Sequence, residues 1–141
     1  MATFNKFNDF SEQLVIGVQD FDANTYKVML VNSPAPVATN SVKADLTEIS
    51  AGNGYSAGGT ATTIAVSETS GTTTVTGTQV VFTASGGSIG PFRYVVLYND
   101  TAASKNLVGW WDYGSSISLA DTETFTVKFN NASPGTIFTL V

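Results

Sequence analysis

Three short stretches carry residue types and spacings that could do chemistry. Gly52-Asn53-Gly54-Tyr55-Ser56-Ala57 fits the G-x-G-x-x-[GA] spacing of a dinucleotide fingerprint. Such glycines cradle a pyrophosphate only between a strand and a helix, where the helix N-terminus faces the anion. Here Thr60 to Val66 follows with strand composition, and no lysine succeeds the glycines as a P-loop requires, so a structural loop is expected. Asp20-Phe21-Asp22-Ala23-Asn24 has the D-x-D-x-N opening of a calcium loop, but Thr25 stands where glycine belongs and Val31 where a bidentate glutamate belongs. An irregular cation site is the alternative there; the expected role is a turn held by Asx side chains. Asp112, Asp121 and Glu123, with Trp111 and Tyr113 as an aromatic platform, have the parts of a glycosidase, a hydrolase class that needs neither histidine nor cysteine. Nothing sets a raised-pKa acid against a base, so these acids are expected to be solvated turn residues. Arg93, the sole arginine, lies beside Tyr94 and is expected to pack or pair locally.

Composition narrows the chemistry further. Histidine and cysteine are both absent, which removes His-based triads, HExxH zinc sites, thiolate nucleophiles and disulfides. No catalytic residue, cofactor or metal site is expected. Eleven carboxylates face six basic residues, a net charge of −5, which argues against a nucleic-acid partner or an anionic membrane. No stretch has the roughly 18 apolar residues of a membrane span, and the N-terminal MATFNKFNDF lacks the apolar core of a secretory signal.

The elements that must position these residues read as strands. Ala84 to Tyr113 is the organising stretch: an apolar run from Phe92 to Leu97, a polar turn from Asn99 to Asn106, and a second apolar run ending in Trp110-Trp111. Two such dense strands belong in the middle of a sheet. Thr25 to Val31 is a further dense strand, ended by Pro34 and Pro36. Asp45 to Ile49 reads as a helical turn or a short edge strand. Thr60 to Thr83 reads as a hairpin turning at Ser70-Gly71, and Tyr113 to Ser116 as a turn into Ile117-Ser118-Leu119. Thr124 to Phe129 alternates strictly, and Thr136 to Val141 closes the chain. Phe4, Phe7, Phe10 and Leu14 recur at helical steps, predicting a short helix from about Asp9 to Val18 within an N-terminal segment 1–22. The expected fold is mainly β: one β-sandwich domain over residues 1–141, jelly-roll-like, with about seven or eight antiparallel strands and a short N-terminal helix. Adjacent in a strand, Trp110 and Trp111 must point to opposite faces. One enters the core, and the other is expected to meet a neighbouring chain, as are Phe4, Phe7 and Phe10.

Four stretches in order, FNKFNDFSEQLVIGV, KVMLVNSPAPVATNSVKADLTEISAGNGYSAGG, FTASGGSIGPFRYVVLYNDT and GWWDYGSSISLADTETFTVKF, resemble a family of small virion proteins of tailed bacteriophages. The resemblance covers nearly the whole chain and implies a non-enzymatic structural role, foremost a capsid decoration (cement) protein on the virion surface. It implies assembly in the host cytoplasm, the major capsid protein as partner, and a homo-oligomer, with a trimer favoured. A tail or fibre component with a receptor- or glycan-binding role is the alternative.

Overall fold

The computed structural model describes residues 2–141. Its strands are β1 (Asn5–Lys6), β2 (Tyr26–Val31), β3 (Thr60–Thr62), β4 (Ile64–Thr69), β5 (Thr72–Gly77), β6 (Val80–Thr83), β7 (Ile89–Asn99), β8 (Leu107–Leu119), β9 (Thr124–Val127) and β10 (Gly135–Leu140). One helix, α1 (Phe10–Val15), and a 3-10 turn at Lys43–Asp45 complete the elements. The strands form antiparallel ladders in a five-stranded sheet ordered β1-β8-β7-β2-β3, a three-stranded sheet ordered β10-β5-β4, and the pair β6-β9. A mainly β, sandwich-like single domain is therefore what the chain builds, with ten strands among the described residues where the sequence predicts about seven or eight.

The centre is β7, paired along its length with β8 and over Tyr94–Asn99 with β2. One face of this sheet packs Val28, Leu30, Val95, Leu97 and Trp111 against Val75, Val80, Phe82, Phe129 and Ile137 of the smaller sheets and their loops. The opposite face carries Met29, Val31, Val96, Tyr98 and Leu107, and it too is buried. That is why the sequence of β7 runs Tyr-Val-Val-Leu-Tyr without alternation: both faces are dry. The second face is covered by the chain itself. Residues 36–46 cross over it, tied by Asn8 N–H to Ala38 O, Leu107 N–H to Ser41 O and Lys43 N–H to Lys105 O, with Leu46 packed below.

Two-residue alternation explains β9, where Val127 is buried between exposed Thr126 and Lys128. The Ser70-Gly71 turn is as expected: φ is 50° and 85° at its two residues, the left-handed pair that a two-residue hairpin turn needs. Two expectations fail. Thr60 to Thr83 is not one hairpin; only β4 and β5 pair with each other, while β3 joins β2 and β6 joins β9. Tyr113 to Ser116 does not turn the chain. It bulges inside β8, where the stretch between Asp112 and Ile117 faces the single residue Arg93 on β7. Gly114, at φ 104°, supplies the left-handed residue that lets the strand bend and resume. The helix is shorter than expected, because Gly17 at φ 85° ends it two residues after Val15. Asp45 to Ile49 divides between both readings: Asp45 closes the 3-10 turn, and Glu48 makes an isolated bridge to Val31.

Gly59 tests this packing. At φ 78° it crosses so close to β2 that a Cβ would overlap the Val28 carbonyl, whereas Gly71, at φ 85°, has open space around it. Gly71→Ala should therefore cost only the left-handed strain, about 1–2 kcal/mol. Gly59→Ala should cost clearly more in urea unfolding, and equal costs would mean that the loop does not press on β2 as described.

Candidate functional site

The residues expected to reach other chains are engaged within this one. β1 pairs with β8, Asn5 opposite Trp110 and Lys6 opposite Gly109, and delivers the flanking phenylalanines to both faces of the sheet. Phe4 lies 5.2 Å, ring to ring, from Trp111 over Gly109, which has no Cβ to obstruct it. Phe7 lies 4.5 Å from Trp110 on the opposite face. Phe10 packs edge-on to Phe21 and Phe138. Phe7, Phe10 and Trp111 are buried, while Phe4 and Trp110 are half-buried. The two tryptophans do point to opposite faces, but the outward one is covered by the chain's own N-terminal segment. The expectation that Phe7 and Phe10 contact neighbouring chains is therefore corrected, while Trp111 is the tryptophan that enters the core: β1 at the edge of β8 seats Phe7 on the sheet, and α1 turns Phe10 onto Phe21 and Phe138.

The glycine-rich stretch is a strap. Gly52 and Tyr55 bridge each other, and Tyr55 turns its phenol inward to donate to Glu48 Oε1 at 2.8 Å and accept from Leu30 N–H at 3.0 Å. Gly58 N–H donates to the same Glu48 oxygen at 2.6 Å, and Tyr98 donates to Gly58 O. Lys43 Nζ lies 3.2 Å from the second Glu48 oxygen. An anion thus already occupies this loop, supplied by the chain, and the element that follows is β3, not a helix. The Asp20 turn is likewise satisfied internally. Asp20 Oδ1 accepts from the backbone N–H groups of Asp22 and Ala23, and Asn24 Oδ1 accepts from Asn99 Nδ2 at 2.8 Å. Among the described residues no cluster of three or more acids is placed to hold a metal ion.

The three acids considered for glycosidase chemistry are each committed elsewhere. Asp112 forms a two-pronged pair with Arg93 at 2.8 and 3.0 Å and accepts Gly114 N–H, so it pins the β8 bulge. Asp121 accepts Gly86 N–H, and Glu123 accepts Ala120 N–H. The Arg93 hydrogen bond holds the Asp112 carboxyl below its usual range, the reverse of what a general acid needs. Arg93, as expected, pairs locally and lies over Tyr94.

What the surface does offer is apolar. A groove of about 500 Å³ opens between the end of α1, the Asp20–Asp22 turn and the inner side of the β4-β5-β10 sheet, lined by Leu14, Phe21, Val66, Val75, Phe138 and Leu140. Of its lining, Leu140 is 55% exposed, and Val15, Ile16 and Val141, next in the chain to the lining residues Leu14, Gly17 and Leu140, are 85, 61 and 99% exposed. The acids at its margin are Asp20 and Asp22, and no lysine or arginine lines it. Sequence reasoning missed this surface because Val15 and Ile16 follow the helical apolar run directly. The helix ends at Val15, and both residues stay exposed beyond its buried face. The Asn99 hub is also invisible in sequence: it accepts the N–H groups of Thr101 and Ala102 and donates to Asn24 and Val18 O, closing the β7-β8 turn.

No family model matches the chain, and neither a curated protein nor a solved structure is similar to it.

The titratable groups predict a stability profile. Hydrogen bonds from Lys105 to Asp100, from the Ser41 and Val42 amides to Asp45, and from Arg93 to Asp112 all lower carboxyl pKa values. A lowered folded-state pKa stabilises the native state above the unfolded value and loses that contribution as pH falls through the folded one. Burial raises the Tyr26, Tyr55 and Tyr98 phenols, so the unfolded chain ionises first and stability falls above the ordinary tyrosine value of about 10. Melting temperature should be level from about pH 5 to pH 9 and fall on both sides. A transition inside that window in a melting series would contradict these pairings.

Proposed function

We propose that this chain is a non-enzymatic structural protein of a tailed-bacteriophage virion, a capsid decoration protein that binds the shell of major capsid protein and stabilises it. The ordered sequence resemblance points to that family. The apolar groove carries the reading: Val66 and Leu140 line it half in solvent, and the exposed Val15, Ile16 and Val141 adjoin lining residues along the chain. Single exposed apolar residues are ordinary, but a cluster around a groove is the usual mark of a protein contact. The commitment of Asp112, Asp121 and Glu123 to backbone and cation partners supports a binding role over acid–base chemistry. Repeated copies on a shell convert weak contacts of this size into firm attachment through avidity.

Shells prepared without the protein should retain it on sedimentation after mixing. The Ile16→Asp/Leu140→Asp variant should bind at least tenfold more weakly with only a small fall in melting temperature, because both side chains are already more than half in water. Equal binding would remove this surface from the proposal. On a stained gel of purified virions the band should approach that of the major capsid protein in copy number; a handful of copies would move the protein to the tail or a fibre. Because the chain lacks histidine, shell binding should be level between about pH 6 and 8.

A further inference from the structure

The edges of the sheets are not equally protected. β1 is two residues long and carries Lys6, β3 is three residues, and β6 and β9 are four each. The ladder of β10 is broken by a register shift between Thr136 and Phe138. Short length, charge and bulges are the usual means of keeping sheet edges from pairing with other chains. β4 is neither short nor bulged, and it lacks the outward charge of Lys6. Its residues Ile64-Ala65-Val66-Ser67-Glu68-Thr69 pair with β5 in unbroken register, and the strand contains no lysine, arginine or proline. Glu68 is its one charge, and that carboxylate is folded back onto the turn, accepting Gly71 N–H at 2.6 Å.

Which backbone groups face outward follows from the ladder. Thr78 N–H donates to Thr63 O, so Thr63 and Thr78 form a hydrogen-bonded pair. Hydrogen-bonded and non-bonded pairs alternate along an antiparallel ladder. Ala65, Ser67 and Thr69 therefore spend their N–H and C=O groups on β5, and those of Ile64, Val66 and Glu68 point away from it. This set is self-complementary. Two β4 strands laid antiparallel about a two-fold axis at Val66 match Val66 to Val66 and Ile64 to Glu68 in both directions, so every outward group finds a partner. The same register keeps the two Glu68 carboxylates apart, each opposite an isoleucine, and brings together two Val66 side chains that are now 45% exposed.

We infer that the free edge of β4 is a homodimerisation site, at which a second copy of this chain adds its own β4 and joins two three-stranded sheets into one continuous sheet. The contact is isologous and closes with two chains, in place of the three-fold assembly that the family resemblance implies. It concerns the free protein and stands whether or not the chain binds a shell.

The chain has no cysteine, so a single introduced thiol reports the register. In the dimer the Val66 Cα atoms face each other at about 5.5 Å, within disulfide reach. The two Glu68 positions lie four residues out of step, roughly 14 Å apart at about 3.4 Å per residue. Under mild oxidation Val66→Cys should give a covalent dimer at least tenfold faster than Glu68→Cys. A mixture of Ile64→Cys and Glu68→Cys chains should cross-link with each other. In sedimentation, wild-type protein should dimerise with rising concentration. Val66→Pro should weaken that at least tenfold while keeping the monomer's melting temperature, since it removes an outward N–H and not one bonded to β5. Wild-type protein that stays monomeric at the highest attainable concentration would overturn the inference. So would Val66→Cys and Glu68→Cys cross-linking at the same rate, or an edge that takes up a strand of another protein and never its own.

Discussion

The structure depends on one constraint: β2 and the adjoining halves of β7 and β8, Tyr94–Asn99 and Leu107–Trp111, are apolar on both faces, so the sheet they form there has no side that can be left in water. Burying one Val, Leu or Phe side chain contributes about 1.5–3 kcal/mol, against a whole-domain stability of about 5–15 kcal/mol. Neither face can be given up. On one side the two smaller sheets close over Val28, Leu30, Val95 and Leu97. On the other, among the described residues, no sheet packs, and the cover comes from the N-terminal segment, with Phe7 against Trp110, and from residues 36–46. Phe7 is thus part of the second layer, while Phe4 and Phe10 pack into the core on the first face.

The same constraint explains why motifs that look chemical turn out to be structural. Chain that crosses over a dry sheet must satisfy its backbone polar groups without the help of neighbouring strands. Glu48, Asp20, Asp45, Asp112, Asp121, Glu123 and Asn99 each accept backbone N–H groups where a loop or bulge leaves the ladder. The glycines of the 52–59 stretch allow the strap to run close to β2 and Thr83, not to approach a phosphate. No buried side-chain nitrogen or oxygen among the described residues is left without a partner.

The small sheets are where this closure is incomplete. The β4-β5 hairpin extends past the core, so that Val66, opposite buried Val75 in the ladder, remains half in water beside the groove. An apolar groove, exposed aliphatic residues and an unguarded edge all fall on this one sheet, which gives the molecule a side suited to protein contact and another built for closure.

Much of this was legible in the sequence. The uninterrupted run Phe92 to Leu97 marks a strand buried on both faces, the strict alternation of Thr124 to Phe129 marks one that is half-buried, and Ser70-Gly71 marks the turn between β4 and β5, because each pattern reflects only local geometry and the pleat. The opposite orientation of Trp110 and Trp111 follows from the same period of two. What covered the outward tryptophan could not be read locally: another chain and the chain's own residue seven are equally good apolar partners, and only the pairing of β1 with β8 decides between them. The partition of Thr60 to Thr83 among three sheets, the bulge at Tyr113–Ser116 and the exposure of Val15 and Ile16 were also decided in three dimensions. Each depends on which strands become neighbours, and strand neighbours are chosen by fitting whole faces together, a condition that no short window of residues contains.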